Sequence, residues 1–599
     1  MPSTNQQLAA IFAQMAELTE ITGGNRFKVN AFTKVGRILE DLTRDVADID
    51  PQLLPKLEGI GQGTADRIAE YLDTGQIADH QALLRQVPPG LMQVMNIPGL
   101  GPKTVAQLWH EAGVESLEDL KAKLDTGELE GLKGFGKKKI ENLRKNLHFA
   151  ETAGQRSRIG VAYALAQALI EDLRNQDGLE IDRIEYAGSL RRGKETIGDL
   201  DLLVTTPGGD ANRAAVLRAF VDHPLVGEVL VHGETKASIR TAEAEGAAGS
   251  GMQVDLRVVD PAHFGAALMY FTGSKEHNVK LRERALDQGL SLNEYALSRN
   301  DDSGQVVAAE SEQEVYAALG LAWIPPELRE DRGEIGRAQR SYHDADADDG
   351  LPTLIELDDV RAELHTHTTA SDGTWSIEDN VRGALARGFH TIAITDHSKG
   401  QVQANGLSNE RLVKHIAAVR EVAEKFKTEI TVLAGSEVDI LSDGGLDYPD
   451  ELLAELDIVV ASPHAALTQD SAKATKRLIR AIENPYVTIV GHPTGRLINR
   501  RDGLSPDMQA VFKAAQQRGI ALEINASPYR LDLRDTHART WVHDFDGKLS
   551  INTDAHSEPH LDNLRFGVLT ARRAGATKQD VVNCMTRKQL AKWIASTRG

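Results

Sequence analysis

"ELHTHTTASDGTW" (Glu363–Trp375) ends an apolar strand pattern with two histidines two residues apart and an aspartate five residues further on. Side chains alternate across a strand, so His365 and His367 share one face, with Asp372 on the loop beyond. A lone His-x-His is often a surface accident, and this one acquires meaning from its neighbours. Strand patterns recur downstream as "TIAITDH" with His397, "ITVLAGSE" with Glu437, "DIVVASPH" with His464, "VTIVGHP" with His492, "IALEINA", and "LSINTDAH" with Asp554 and His556. Helix patterns such as "NERLVKHIAAVREVAEKF" lie among the connections. Such alternation predicts a parallel sheet, open or closed into a barrel. Ligand-type residues gather at the carboxyl ends of its strands, where α/β barrels carry active sites. Imidazoles beside carboxylates suit Zn2+, Mn2+ or Fe2+, and Glu437 can bridge two ions. A divalent ion lowers the pKa of a water it holds toward neutrality, giving a hydroxide able to attack phosphorus.

The whole chain has 599 residues, 41% hydrophobic and 26% charged, a globular composition with room for several domains. No apolar run approaches the roughly 20 residues of a membrane helix. The N-terminal "MPSTNQQLAAIFAQMAELTE" reads as an amphipathic helix without a secretory signal's basic start. Cys584 is the single cysteine, which excludes a disulfide framework and a thiolate zinc cluster. A cytoplasmic home is expected. The net charge of −20 means that any nucleic-acid surface must be locally basic.

Upstream, the first 150 residues are helix-patterned. "LEGIGQG", "IPGLGPK" and "LKGFGKK" place Gly59 and Gly61, Gly99 and Gly101, and Gly134 and Gly136 between helices. A glycine turn entering a helix presents free N–H groups to an anion and no side chain to fend off a phosphate. Lys137 and Lys138 open a basic run after the third turn. These turns are expected to grip a sugar–phosphate backbone; the alternative is ordinary glycine-capped helix hairpins. The polar, acidic "SYHDADADDGLP" (Ser341–Pro352) reads as a linker between two halves.

"GSLRRGKETIGDLDLLV" (Gly188–Val204) carries a second constellation. Asp199 and Asp201 alternate along a strand, and Asp255 lies in "QVDLRVV", a strand able to run beside it. Three converging carboxylates repel unless divalent cations sit among them, and two such ions are the standard apparatus of phosphoryl displacement. Ser189 and the Gly188 turn can hold a triphosphate, with Gly198 as a second turn and Arg192 as a charge clamp.

Gly188-Ser189 followed by Asp199-x-Asp201 resembles the nucleotidyltransferase signature, and the whole segment looks like the palm of family X DNA polymerases. "YFTGSKEHN" (Tyr270–Asn278) and "LSLNEYAL" (Leu290–Leu297) strengthen the match, which covers roughly residues 1–330. The resemblance implies Tyr270 and Phe271 at the nucleotide sugar, Gly273 beside them, Asn278 near the base's minor-groove edge and Arg282 toward the template. It also implies helix–hairpin–helix grips, two Mg2+ or Mn2+ on Asp199, Asp201 and Asp255, and Asp255 receiving the primer 3′-hydroxyl proton. The histidine-bearing half resembles the PHP (polymerase and histidinol phosphatase) domain, whose form is a distorted (β/α)7 barrel. That likeness implies up to three Mn2+, Zn2+ or Fe2+ ions. His365, His367, Glu437 and Asp554 would hold one, His464 and His492 with Glu437 a second, and Asp372, His397 and His556 a third. Asp396 is expected to support its neighbours, and Arg496 and Arg530 to clamp phosphate.

A palm and a PHP domain together resemble the bacterial family X DNA polymerases with a C-terminal PHP domain. The implied fold is multidomain. It comprises α-helical helix–hairpin–helix parts at 1–82 and 83–150, an α+β palm at 151–265, a thumb at 266–332, a linker at 333–357 and the α/β barrel at 358–599. The implied function is gap filling on gapped or primer–template DNA with deoxynucleoside triphosphates, joined to metal-dependent 3′–5′ exonuclease, AP-endonuclease or 3′-phosphatase action. No membrane partner is expected, and a monomer is. Two other readings are a DNA-end-binding polymerase with a structural barrel and a small-molecule phosphoesterase. One departure concerns the Schiff-base lysine that some family members use against 5′-deoxyribose phosphate. Its position matches Arg67, which stays protonated and cannot serve as that nucleophile.

Overall fold

In the computed structural model, which describes residues 4–41, 46–49, 54–55, 60–95, 100–136, 139–140, 143–144, 156–207, 209–242, 251–344 and 349–598, the apolar alternation of Asp199–Thr205 becomes the second strand of a five-stranded mixed sheet. Arg183–Tyr186 pairs antiparallel on one side and Gln253–Val258 parallel on the other. Lys236–Thr241 and Val226–His232 complete the sheet, each antiparallel to its neighbour. Helices Ile159–Asn175 and Gly209–Val221 give Leu165, Leu169, Val216 and Phe220 to the core that covers it. Beyond it, Phe264–Thr272, Lys275–Asp287 and a three-stranded sheet build a separate apolar core around Tyr316 and Leu319.

The seven strands expected in the second half are all present, parallel and in chain order, from Ala362–Glu363 to Lys548–Asn552. Their residues are buried almost throughout, as parallel strands covered by helices must be. The His367 amide donates to the Ala555 carbonyl at 2.9 Å and Thr366 bridges Ala555, so the first strand's end meets the last and the barrel nearly closes. Segment 333–357, expected as a linker, begins with helix Glu334–His343, whose Ala338 is fully buried against the preceding core. The linker pattern is the polar, acidic Ser341–Pro352, which only the last turn of this helix enters; one small apolar face was enough to dock the helix.

Residues 156–599 form one compact unit, and 1–155 another. Ile498, Leu531 and Phe566 of the barrel half belong to the palm sheet's own core. Arg573, 3% exposed, adds an ionic bolt: it donates to the Arg192 carbonyl at 2.8 Å, to Glu330 at 3.0 Å and to Asp535 at 2.8 Å. Burial alone would raise the Glu330 carboxyl, but Arg573, Arg192 and Lys194 outweigh it and hold it at about 2. A depressed carboxyl stabilises the fold above its unfolded pKa and loses that contribution as pH falls through the folded one. Glu330→Gln should therefore cost about 3 kcal/mol at neutral pH. The gap from wild type should narrow in denaturant titrations run from about pH 4.5 toward 2.

In the N-terminal unit, Thr4–Ile21 and Arg26–Asp41 pack as a helical pair around Leu8, Phe12 and Leu39. Gly61 caps the start of Gln62–Thr74, and Gly101 that of Pro102–Ala112. Gly134 takes a positive φ of 88°, which only glycine adopts readily. Gly59, Gly99, Lys137 and Lys138 lie outside the described residues. Among the described residues no helix is long and apolar enough to cross a membrane.

Candidate active sites

Asp201 sits directly opposite Asp255 in the parallel register, and Asp199 is two residues before it on the same face. Gly188 has φ 59°, and a Cβ there would collide with the Asp201 carboxylate, so glycine is needed for both the turn and the room. Burial pushes Asp201 up to about 7, helped by repulsion from Asp199 and Asp255. Asp255 differs. Burial would raise it, but hydrogen bonds from Lys236 and Gln253 hold it below the ordinary carboxylate range. Lys236, which nothing in the motif marked, supplies part of the positive charge this trio demands.

A cleft of about 420 Å³ opens beside the carboxylates, lined by Gly188, Ser189, Arg192, Asp199, Asp201, Tyr270, Phe271, Gly273, Asn278 and Arg282. Gly198 stands at its edge, where Arg156 would meet any Cβ at 3.0 Å. Tyr270 and Phe271 meet edge to face at 5.2 Å. Asn278 donates to the Tyr270 carbonyl at 2.7 Å, while its buried Oδ1 has no hydrogen-bond partner among the described residues. Arg192 is spoken for on one side by Glu330 at 3.0 Å and by the Thr272 carbonyl.

At the barrel's carboxyl end the second constellation assembles. Glu437, fully buried, faces His365 at 3.4 Å, His367 at 3.6 Å and His397 at 2.9 Å with Oε2. Its Oε1 faces His464 at 3.2 Å and His492 at 2.9 Å. Asp554 lies 2.9 Å from His367, and Asp372 3.3 Å from His556 and 3.5 Å from His397. Among the described residues three groups have ligand atoms close enough to share an ion. They are His365, His367, Glu437 and Asp554; His397, Glu437 and His464; and His367, Asp372, His397 and His556. His397 therefore joins the second group, where His492 was expected, while His492 stays against Glu437. His367 reaches the third as well.

The donor set fits divalent cations. His365 Nε2, both nitrogens of His367, His397 Nδ1, Glu437 Oε2 and Asp554 Oδ1 are buried without hydrogen-bond partners among the described residues, yet converge. Burial opposes charge on every ring, but Glu437 and Asp372 outweigh it and raise His397 to about 10, and Asp372 raises His556 to about 8. Burial together with its two histidine neighbours pushes His367 down to about 4. The carboxylates thus draw protons where no other cation compensates them. His492 and Asp554 adopt positive φ of 24° and 53°, a strain that persists only where surroundings hold it.

Family models match this architecture: a helix-hairpin-helix domain at 3–77, a SAM-like helix-hairpin-helix tandem at 92–148, a DNA polymerase beta thumb at 267–330 and a PHP domain at 363–527. The chain is 37% identical over 593 residues to the DNA polymerase/3'-5' exonuclease PolX of Bacillus subtilis (strain 168), covering 98% of this chain and 99% of that protein. The chain belongs to the family X DNA polymerases with a PHP domain. It is also 28% identical over 323 residues to DNA polymerase lambda of Rattus norvegicus, across 51% of this chain and 53% of that one. A probable phosphatase of Thermoanaerobacter sp. (strain X514) matches at 29% over 231 residues, 37% of this chain and 89% of its own length.

In this polymerase, carboxylates behind the candidate ligands fix the rings, the arrangement usual at metal centres. Glu523, fully buried, accepts from His365 Nδ1 at 2.8 Å and from the His492 amide at 2.7 Å. Asp439 holds His464 Nδ1 at 2.6 Å. Asp396 belongs to none of the three groups; it accepts from Thr368 and Ser371, with His415 2.8 Å away, and braces the loop that ends in Asp372. Glu523 stood in the "ALEIN" strand, whose place in the barrel was its one available signal. Arg496 is tied to Glu195 at 2.6 Å, joining barrel to palm, whereas Arg530 lies 3.9 Å from Asp554.

Proposed function

We propose that this polymerase fills gaps in DNA at Asp199, Asp201 and Asp255 and removes nucleotides from 3′ ends at the barrel. The observation that carries the reading is the presence, in one compact unit, of a carboxylate trio beside a 420 Å³ cleft and a histidine–carboxylate cluster at the end of a barrel. In the palm the trio holds two Mg2+ or Mn2+. Gly188, Ser189, Gly198 and Arg192 receive the triphosphate, Tyr270, Phe271 and Gly273 the sugar, and Asn278 presents its unpartnered Oδ1 or amide to the base, with Arg282 toward the template. For Asp255 to take the primer 3′-hydroxyl proton, Lys236 must first release it. In the barrel Mn2+, Zn2+ or Fe2+ supplies Lewis acidity and an activated water. His365, His367, Asp372, His397, Glu437, His464, His492, Asp554 and His556 hold the ions, and Arg530 receives the phosphate. The boundaries 1–82, 83–150, 151–265, 266–332 and 358–599 are assigned on the same basis. The proposed setting is the cytoplasm, with a monomer acting on gapped or primer–template DNA.

The deciding assay uses one labelled gapped duplex, with and without nucleotides, in Mn2+. Asp199→Ala/Asp201→Ala should lose extension only, and His365→Ala degradation only. If His365→Ala unfolds the barrel but spares degradation, the barrel is structural. If the wild-type barrel hydrolyses small phosphate esters and never DNA, the chain is a small-molecule phosphoesterase there.

Gly61 and Gly101 have φ of −82° and −94°, conformations open to any residue, and a Cβ on either would meet none of the described residues within 4 Å. Packing among the described residues therefore does not explain them, which supports a partner outside the chain: a phosphate backbone. Gly61→Ser and Gly101→Ser should leave stability within about 0.5 kcal/mol, serine being a good N-cap. Each should weaken duplex binding about tenfold in anisotropy titrations, the scale of one lost charge-assisted hydrogen bond.

Arg67 is held by Asp79 and the Gly63 carbonyl and lies 5.7 Å from the Phe32 ring. With no amine at this position, borohydride should trap no covalent adduct on 5′-deoxyribose phosphate DNA. A trapped wild-type adduct, unchanged in Arg67→Lys, would refute this.

A further inference from the structure

Two loops leave the barrel on the side that carries the metal ligands. One follows His492 and contains Ile498, Asn499, Arg500 and Arg501; the other follows strand Ala521–Asn525 and contains Tyr529 and Arg530. They are pinned to each other by the Ile498 amide donating to the Tyr529 carbonyl at 2.8 Å. Both are pinned to the palm. Ile498 and Leu531 enter its core, and Asn499 donates to the Arg156 carbonyl. They form a firm ledge between the two sites.

The ledge is unusual in what it leaves open. Tyr529 is 46% exposed although its backbone is fixed. The Arg158 guanidinium, from the short strand Ser157–Arg158, lies 4.1 Å from its ring centroid, and that of Arg500 lies 6.0 Å away. At one end Arg156 lines the nucleotide cleft. At the other, Arg530 stands 3.9 Å from the metal ligand Asp554. The nearby acid Glu195 is neutralised by Arg496 at 2.6 Å, and Asp502 follows the exposed Arg501. A run of guanidinium groups with an open aromatic ring stands out in a chain of net charge −20.

Guanidinium groups beside an aromatic face are the chemistry that binds single-stranded nucleic acid: cations follow the phosphates and the ring stacks a base of any sequence. The metal centre favours the same ligand. His365, His367 and Glu437 have no exposure, and Asp372 and His556, 33% and 29% exposed, are the ligands an incoming strand meets first, a recessed arrangement that suits a single strand better than a duplex. Resting on the two-site function proposed above, we propose that Arg156, Arg158, Tyr529, Arg500 and Arg530 form a single-strand track. It carries a primer 3′ end, unpaired from its template, from the palm cleft to the barrel's metal site, with one base stacked at Tyr529.

The test uses the full chain and its Tyr529→Ala, Tyr529→Phe and Arg158→Gln/Arg500→Gln variants. Three readouts are compared in Mn2+: trimming of a primer with a mismatched 3′ end, hydrolysis of bis-p-nitrophenyl phosphate, and anisotropy of a labelled oligothymidylate. Tyr529→Ala and Arg158→Gln/Arg500→Gln should each lower oligothymidylate affinity and raise the KM for trimming about tenfold, with Tyr529→Phe close to wild type. Hydrolysis of the small diester should not change. Unchanged trimming and binding in both the Tyr529→Ala and the Arg158→Gln/Arg500→Gln proteins would overturn the track. So would parallel loss of small-diester hydrolysis, since the ledge would then merely support the metal site. A wild type that cleaves the small diester but never DNA would overturn the two-site function instead, and oligothymidylate binding would still judge the track.

Discussion

Asp201→Asn is expected to lower nucleotide addition about 10³-fold, the equivalent of about 4 kcal/mol of barrier, while making the metal-free protein more stable. The two effects share one cause. Asp201 is held beside Asp199 and Asp255 where burial first, and their charge second, raises its carboxyl to about 7. A carboxyl raised on folding favours the native state only when protonated. That contribution is complete below its unfolded pKa near 4 and lost as pH rises through 7. At pH 8 the ionised side chain therefore opposes folding by roughly 2–4 kcal/mol. Asparagine removes the charge, so the variant's unfolding midpoint should exceed wild type at pH 8, and the excess should shrink on acidification. Saturating Mg2+ should shrink it too, because the ions relieve the same repulsion. Primer extension and denaturant titrations on the same preparations check both halves. A variant that still extends primers, or that is no more stable than wild type at pH 8, would remove Asp201 from the assigned role.

Glu437→Gln should have the larger effect on the barrel. Both carboxylate oxygens are engaged, Oε1 toward His464 and His492 and Oε2 toward His365, His367 and His397. Two of the three ligand groups contain it. An amide keeps the shape but offers one neutral oxygen, so two groups lose their shared anion and with it much of their attraction for a cation. Trimming of 3′ ends should fall about 10³-fold or more. Bound metal, measured by elemental analysis after gel filtration, should drop below wild type, and extension by the palm should stay within about twofold. Full metal content with trimming intact would show that the clusters do not need this bridge.

The alternation of apolar residues in the second half, six of the seven runs ending in a ligand-type side chain, made seven strands and their shared end readable, and the seven strands are there. Gly188, Asp199 and Asp201 were readable for the same local reason: a turn and a two-residue period lie within one short stretch. What escaped were partners with no period to betray them. Lys236 meets Asp255 across an antiparallel pair, Glu523 meets His365 from 158 residues away, and Arg573 meets Glu330 from 243. Helix Glu334–His343 escaped because its charges outnumber its one buried alanine.

By itself, residue order determined the kind of chemistry: carboxylates two apart for hard cations, and imidazoles at strand ends for transition metals, because alternation along a strand is local and needs no knowledge of the fold. Tertiary structure alone decided which atoms converge. Closing the barrel brings His367 and Asp554 together across its seam, and docking it on the palm sets Tyr529 beside Arg158. Those meetings depend on burial and ion pairing between segments hundreds of residues apart, a cost and gain reckoned only once the chain has packed.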